Sequence, residues 1–426
     1  MKDTSTVIHR TAKLIMVTPS NNNKFYEMQE NGDGTMTVTY GRVGSRGTIK
    51  KYPASQWRRR YNEKVRKGYK DQTHLFAVVK NDEPQLELVD VDDELVQRLI
   101  TELMAYATKS ISKNYMVSAN QVTKLQVEEA QTLLDNLVTQ LKTGLWVDGN
   151  NRKTGVNTKR FNGVLLELYQ VIPRKMTKVG DHLIERPSSE DDLEKIKEKL
   201  VEEQATLDVM RGQVKVTSLE TENKVEKKQL NLLEAMGLQI ESVTDDETIK
   251  VIKSKMGPNA NQFSKAFAVK NLKTQKGFDD WIGEKKNQEK QLFWHGSRNE
   301  NWLSILETGL VLRPANAVVT GKMFGYGTYF ADKFKKSLNY TSLRGSYWTK
   351  GTQSKGFLAL FDVHTGNQFH IQKHQSWCYE LNETNLKKKG EHYDSLFAEG
   401  GADLVNNEYI VYNEKQCTVR YLVEVV

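Results

Sequence analysis

The sequence is poor in cysteine, proline and long apolar runs, and each shortage removes a class of protein from consideration. Only two cysteines occur in 426 residues, Cys378 and Cys417, and neither has a partner at metal-ligand spacing. A cysteine-rich zinc finger is thereby excluded, and unpaired thiols fit a reducing compartment. Seven prolines are too few for long proline-rich linkers. No apolar run approaches the ~18 residues that a membrane span needs. The opening stretch, MKDTSTVIHRTAKLIMV, lacks the apolar core and small-residue cleavage site of a signal peptide. The expectation is a chain that is not secreted and has no membrane partner. Two nucleotide-binding signatures are also missing. Gly321, Gly325 and Gly327 have the wrong spacing for a G-x-G-x-x-G turn and precede a strand rather than follow one, and no G-x-x-x-x-G-K-[ST] string occurs. A Rossmann dehydrogenase and a P-loop ATPase are disfavoured. His364, His370 and His374 cluster without regular ligand spacing or an acidic partner, so no metal is expected.

What is abundant is positive charge, and it is concentrated. Between Gly41 and Lys70 stand eleven Lys/Arg against one acid, Glu63, which is more than the +8 of the whole chain. Tyr52, Trp57, Tyr61 and Tyr69 are interleaved with them. A compact basic patch with aromatics is the electrostatic footprint of a nucleic-acid surface, although a charge run by itself serves equally well as a solvated face.

Three segments follow from the patterning. Residues 1–82 read as a small sheet with one helix: strands at Lys24–Gln29 and Thr35–Val43 around the Asn31-Gly32-Asp33-Gly34 turn, then a basic helix over Ser55–Lys67. Residues 83–235 read as an all-α bundle. Its stripes are Val96, Leu99, Ile100, Leu103, Ala107; Val127, Ala130, Leu134, Leu137, Val138, Leu141; Phe161, Val164, Leu165, Leu168; and Leu193, Ile196, Leu200, Leu207. Ser188 or Ser189 is the expected cap of the fourth helix, and Glu190–Glu203 its solvated face. Residues 236–426 read as an α+β domain. Strands are expected at Leu292–Trp294, Gly327–Phe330, Phe357–Val363, Glu408–Tyr412 and Cys417–Val425, the last with Val419, Tyr421, Val423 and Val425 on one face. Short helices are expected over Leu303–Leu310 and Asp332–Tyr340.

Three strings in the last segment carry chemistry in combination: Leu292-Phe-Trp-His295-Gly296-Ser297; Gly321 through Tyr329-Phe330-Ala331-Asp332, followed by Lys336-Ser337-Leu-Asn-Tyr340; and Asn407-Glu408-Tyr-Ile-Val-Tyr412. His295 ends an apolar strand at a glycine, where a ligand can approach the backbone and pair with its N–H and C=O. Ser337 and Tyr340 are three apart, hence on one helix face, with Asp332 placed to cap that helix. With Tyr329 they would suit a flat aromatic amide. Glu408 opens an otherwise apolar strand, where a carboxylate can hold a sugar hydroxyl and stabilise positive charge on its ring. Singly, each of these residues has an ordinary packing or surface role.

Together and in this order they resemble the catalytic domain of the poly(ADP-ribose) polymerases. The matching motifs are His295-Gly296-Ser297, Met323-Phe324-Gly325, Gly327-x-Tyr329-Phe330-Ala331-Asp332, Lys336-Ser337 and Asn407-Glu408-Tyr409-Ile410-Val411-Tyr412. Residues around Leu168-Tyr169-Gln-Val-Ile172-Pro173 are similar to that family's regulatory helical domain, and Thr39-Tyr40-Gly41-Arg42-Val43-Gly44 resembles its WGR module. The resemblance implies a multidomain α+β chain of the short, zinc-finger-free architecture: a WGR-like DNA-binding module (1–82), a regulatory helical domain (83–235) and an ADP-ribosyltransferase domain (236–426) on a split antiparallel sheet.

It also implies NAD+ as a consumed substrate, no metal, and a catalytic triad of His295, Tyr329 and Glu408. Gly296 and Ser337 would fix the nicotinamide amide, Tyr340 and Tyr329 would flank its ring, and His295 with Ser297 would hold the adenosine ribose. Phe330 and Ala331 complete the implied site, and the loop from Val311 to Lys322 would line it. Tyr40, Arg42, Arg46, Arg58, Arg59 and Arg60 would face DNA. The implied partners are DNA with breaks and protein acceptors including the chain itself, acting as a monomer in a nucleus or, for a bacterial or viral chain, in the cytoplasm or nucleoid. Three departures stand out: Tyr40 in place of the module's tryptophan, Tyr326 in place of a usual lysine, and Val311 at a usual arginine, with Arg313 two residues on. The expected activity is DNA-break-responsive synthesis of poly(ADP-ribose). Two alternatives stay open: a mono-ADP-ribosyltransferase, and a DNA-end-binding scaffold with a vestigial pocket.

Overall fold

The computed structural model describes residues 10–73, 90–144, 156–222, 231–312, 323–346, 349–350 and 353–426. It divides into two compact units, one of residues 1–84 with 109–210, the other of residues 85–108 with 211–426.

The first unit begins with an antiparallel sheet of β1 (Thr11–Thr18), β2 (Asn22–Asn31), β3 (Thr35–Arg42), β4 (Thr48–Pro53) and β5 (Lys70–Asp71), in the order β4-β3-β2-β1-β5. Alternation places Leu14, Met16, Tyr26, Met28, Met36 and Val38 on one buried face, against which Trp57 and Tyr61 of α1 (Trp57–Arg66) pack. The β2–β3 turn follows from its chemistry. Gly34 sits at φ +76°, and the Asp33 carboxylate accepts the Thr35 N–H at 3.0 Å. β1 was not expected from the sequence. Leu14, Ile15, Met16 and Val17 are all buried, so the strand reads as a continuous apolar run rather than an alternation.

The helices are α2 (Glu94–Asn114), α3 (Lys124–Gly144), α4 (Thr158–Val171) and α5 (Glu190–Glu222). α3, α4, the end of α2 and most of α5 belong to the first unit. The expected cap of α5 is present. The Asp192 carboxylate accepts N–H bonds from Ser188 and Ser189, and the Ser189 hydroxyl accepts the Asp192 N–H. Glu203 is not on a solvated face. It is buried, receives the Arg174 guanidinium at 2.9 Å and the Tyr169 hydroxyl at 3.1 Å, and supplies the counter-charge that a buried cation requires.

In the second unit, β6 (Leu238–Ser242), β7 (Phe263–Asn271), β8 (Gln291–Gly296), β12 (Gly356–Val363) and β16 (Cys417–Val425) form an antiparallel sheet in the order β6-β7-β16-β12-β8. A second sheet, β13-β14-β15-β9, comprises β9 (Thr328–Phe330), β13 (Gln368–Ile371), β14 (Ser395–Ala398) and β15 (Glu408–Val411), antiparallel apart from β13/β14. A small ribbon pairs β10 (Gly345–Ser346) with β11 (Thr349–Lys350). The helices are α6 (Leu232–Ala235), α7 (Asp246–Met256), α8 (Leu272–Gly283), α9 (Trp302–Thr308), α10 (Phe334–Leu338) and α11 (Glu383–Lys387). Among the described residues one backbone bridge joins the two sheets, in which Trp294 and Ala331 exchange backbone bonds of 2.8 and 3.0 Å. This is the split antiparallel architecture of a mixed α+β chain.

One expectation is corrected here. Val419 does not share a face with Tyr421, Val423 and Val425. Leu360 pairs with Tyr421 but Phe361 with Val419, so Arg420 is a bulge that slips the alternation by one. Val419 thereby joins the core that contains Cys417 and Leu422, while Val423 and Val425 lie in the other. In addition, Val96, Leu99, Ile100 and Leu103 of α2 lie in the same core as β12 and β16, so the start of α2 is an integral part of this unit.

Candidate active site

A cavity of about 540 Å³ opens at the fork between the two sheets of the second unit, lined in part by His295, Gly296, Tyr329, Ser337, Tyr340 and Glu408. Phe330 and Ala331 also line it. These residues arrive on four elements: His295 and Gly296 at the end of β8, Tyr329 on β9, Ser337 on α10, Glu408 at the start of β15.

Gly296 is dictated by close approach. A Cβ there would lie 1.9 Å from the Ser337 carbonyl oxygen, so no other residue lets β8 and α10 meet in this way. The His295 Nδ1 faces the Tyr329 carbonyl at 3.2 Å. A carbonyl only accepts, so this nitrogen carries the proton. The ring is also held edge-on by Phe330 and Phe361.

The Tyr329 hydroxyl accepts the Phe324 N–H at 2.9 Å and donates to the Gly325 carbonyl at 3.2 Å, and burial raises its pKa. The phenol is therefore a neutral structural group. Tyr340 lies just past α10, which ends at Leu338, rather than on it, and its N–H bonds to the Ser337 carbonyl at 3.1 Å. The residue is 55% exposed and lines the cavity. Ser297 is not among the lining residues; its hydroxyl accepts from Asn301 at 3.1 Å.

Glu408 was expected from the sequence, but its partner was not. The Lys336 ammonium lies 2.5 Å from its carboxylate, with both side chains less than a fifth exposed. Lys336 and Glu408 are far apart in sequence, and only the fold brings α10 to the mouth of β15. The expected cap of α10 is also corrected. Lys333 stands at the N-cap without a side-chain bond, and Asp332 instead accepts from the Asn407 amide at 3.1 Å. Leu310, Met323 and Leu404, which lie in loops, and Thr328 at the start of β9 also line the cavity; apolar residues in loops such as Leu404 offered no periodicity by which to find them. Val311 lines the cavity, while Arg313 and the loop through Lys322 lie outside the described residues.

The basic residues of the first unit fall into two sets. Arg46, Arg58 and Arg59 are exposed. The Arg60 guanidinium is stacked 3.3 Å from the centre of the Tyr52 ring, and Arg42 bonds to Asn21 and to the Met176 and Thr177 carbonyls. Tyr40 is half-buried against Tyr26, with the Lys50 ammonium 6.0 Å from its ring. In the second unit, His364 accepts from Trp281 at 3.0 Å and bonds to the Asn287 carbonyl at 2.8 Å, which commits it to packing.

Comparisons with known proteins bear on both units. The chain matches the poly(ADP-ribose) polymerase catalytic domain over residues 246–426 and the WGR domain over residues 11–75. It is 32% identical to the putative poly [ADP-ribose] polymerase-like 100L of Invertebrate iridescent virus 6 over 171 residues, 39% of this chain and 87% of that protein. Protein 101L of the same virus is 32% identical over 204 residues, 48% of this chain and 77% of its own length. Human poly [ADP-ribose] polymerase 2 is 33% identical over 169 residues, 32% of this chain and 26% of that protein.

Proposed function

The chain belongs to the poly(ADP-ribose) polymerase family, whose catalytic domain transfers ADP-ribose from NAD+, and from that premise we propose that it builds poly(ADP-ribose) on protein acceptors in response to DNA breaks. The observation that carries this reading is Glu408: a carboxylate at the cavity wall, paired with Lys336 and facing the same space as His295, Gly296, Tyr329 and Tyr340.

The reaction breaks the bond between nicotinamide and its ribose. Nicotinamide leaves with the bonding electrons, and the sugar passes through an oxocarbenium-like state that the acceptor oxygen captures, releasing a proton. The Gly296 backbone, with the Ser337 hydroxyl, binds the leaving carboxamide, and the Tyr340 ring stacks on the pyridine. His295 holds the adenosine ribose. Glu408 accepts the hydroxyl of the reacting ribose, stabilises the cationic sugar and orients the acceptor, so that binding energy is spent on reactive geometry. The glutamate favours chain growth over single-unit transfer, since its carboxylate can orient an incoming sugar hydroxyl.

DNA enters through the first unit, where the exposed Arg46, Arg58 and Arg59 are available to phosphates. The helical segment restrains the NAD+ site, and DNA favours the state in which that restraint is relaxed. The intact chain is the right object for the test. Excising the helices would remove Val96, Leu99, Ile100 and Leu103 from the catalytic unit's own core.

Labelled NAD+ is incubated with the full chain, with and without nicked DNA, and products are resolved by gel. Nicotinamide release stimulated by DNA, with a ladder of protein-linked products, is the expected result. Single-unit products would replace polymer synthesis with mono-ADP-ribosylation. No nicotinamide release under either condition would leave a DNA-binding scaffold. Glu408→Gln is expected to lose transfer by about 10²–10³-fold while retaining NAD+ binding.

A further inference from the structure

The catalytic glutamate sits where the two sheets separate. On one side of β15 the ladder to β14 continues through Glu408, which pairs with Ala398. On the other side the ladder to β9 stops one residue short, at the Tyr409–Phe330 pair. The next residue of the β9 chain, Ala331, has turned away to bond with Trp294 of the other sheet. No backbone bond to β9 therefore fixes the chain at Glu408.

A side-chain bond spans the gap instead. Past the fork, the Asn407 amide nitrogen donates to the Asp332 carboxylate at 3.1 Å. Asn407 has two more bonds: its side-chain oxygen accepts the Gly400 N–H at 2.9 Å, and its carbonyl accepts the Lys336 ammonium at 3.2 Å. That same ammonium pairs with Glu408. Asn407 thus ties together the loop before β15, the chain after β9, and the lysine that holds the catalytic carboxylate. The other Asp332 oxygen, Oδ1, is buried without a hydrogen-bond partner among the described residues, so the Asn407 bond to Oδ2 bears on a carboxylate with little else to hold it.

We propose that Asn407 and Asp332 are a positioning pair: their bond takes over where the β9–β15 ladder ends and sets the placement of Glu408 and Lys336 for transfer. Neither residue lines the cavity, so they act through their neighbours and not on substrate. The proposal rests on the assignment of Glu408 to the transfer step. Small displacements of reacting groups are costly, about 10²-fold in rate for ~1 Å, so one bond at this fork has leverage.

The test exploits the direction of the bond. Asn407→Asp is nearly isosteric but sets two carboxylates face to face and removes the donor, whereas Asn407→Asp with Asp332→Asn restores one donor and one acceptor across the same gap. Transfer is measured on the full chain, with kcat expressed per site by titration with a tight-binding nicotinamide analogue, so that misfolded protein lowers the site count and not the rate. Asn407→Asp is expected to lose about 10- to 100-fold in kcat per site with KM for NAD+ within about threefold, and the swapped double variant is expected to recover most of it. A kcat per site within twofold of wild type for Asn407→Asp overturns the proposal, as does a double variant no better than the single one. If Asn407→Asp yields no folded protein, Asn407→Ala decides by the same per-site criterion. Glu408→Gln is run alongside. If it transfers at the wild-type rate, the assignment of Glu408 is wrong; if it is crippled while the Asn407 variants are unaffected, only the positioning role is wrong.

Discussion

Lys336 places its ammonium 2.5 Å from the carboxylate of Glu408. With side-chain exposures of 17% and 13%, the pair is screened less by solvent than a surface ion pair. Lys336→Met would leave the carboxylate largely out of water and without its counter-charge, the situation in which removing one partner costs more than the pair contributes. The carboxylate would also be free to rotate away from the ribose position. The expected outcome is a loss of about 10²-fold in transfer per active site, the scale of one lost pre-organised electrostatic contact, with a smaller change in KM for NAD+. Steady-state kinetics of the full chain checks this. A variant with wild-type kcat would show that the pair has no part in the chemistry.

Gly296→Ala should close the end of the cavity proposed to take the nicotinamide. The added methyl would lie 1.9 Å from the Ser337 oxygen and 2.8 Å from its carbonyl carbon, and both are backbone atoms, so relief requires α10 to shift away from β8. Overpacking of this kind costs about 1–3 kcal/mol. A lower Tm is expected, together with at least tenfold weaker binding of a nicotinamide analogue by calorimetry. Unchanged binding with a lowered Tm would place the carboxamide elsewhere.

Much of this arrangement was legible in the sequence because its signals are local. The Asn31–Gly34 turn, the apolar stripes of α2, α3 and α4, and the strand Cys417–Val425 are each encoded by spacing within one element. What was not legible depends on partners distant in the chain. Glu203 reads as one more acid in a charged helix until Arg174 is seen beside it. Asp332 reads as a helix cap until Asn407 is folded against it. The bulge at Arg420 is invisible because it is a property of the pairing with β12 and not of β16 alone. β1 was missed because a strand buried on both faces loses the alternation by which strands are recognised. The same reasoning divides the basic stretch, where composition counts eleven cations but only the fold shows which are committed to aromatic rings.

Both thiols should be inert in the native chain. Burial pushes Cys417 up to about 12, with Glu414 adding to the effect, and burial also raises Cys378. A thiol whose folded pKa lies above its unfolded value of about 8.5 stabilises the fold fully below that unfolded value. The contribution is lost as pH rises through the folded value, so for Cys417 the loss runs from about pH 8.5 upward. Iodoacetamide at pH 8 is therefore expected to leave both cysteines unmodified until denaturant is added, as read by mass spectrometry, and Tm should fall as pH is raised past 9. Rapid alkylation of either thiol in folded protein would contradict their burial.

The contrast between neighbouring arginines in α1 sets the proposed DNA contact apart from packing. The helix turns Trp57, Arg60, Tyr61 and Lys64 inward at helical spacing, with Arg60 stacked 3.3 Å from the Tyr52 ring centre and Lys64 4.5 Å from that of Tyr26. Arg58 and Arg59 face solvent, and the Arg59 bond to Gln56 at 3.0 Å is itself solvent-exposed and contributes little to stability. Each phosphate contact contributes about 0.9 to the slope of log affinity against log salt. Arg58→Gln with Arg59→Gln is therefore expected to weaken binding to nicked DNA and to reduce that slope by about 2, with Tm nearly unchanged. Arg60→Ala should do the reverse: a cation–π contact of about 0.5–2 kcal/mol and the Gln56 bond are lost, so Tm falls while the salt slope stays near wild type. Fluorescence anisotropy from low to physiological salt, together with thermal melts of the same samples, distinguishes the two. If Arg60→Ala flattened the slope and the Arg58/Arg59 variant did not, the inward face of α1 would be the DNA-binding face and the assignment would have to be reversed.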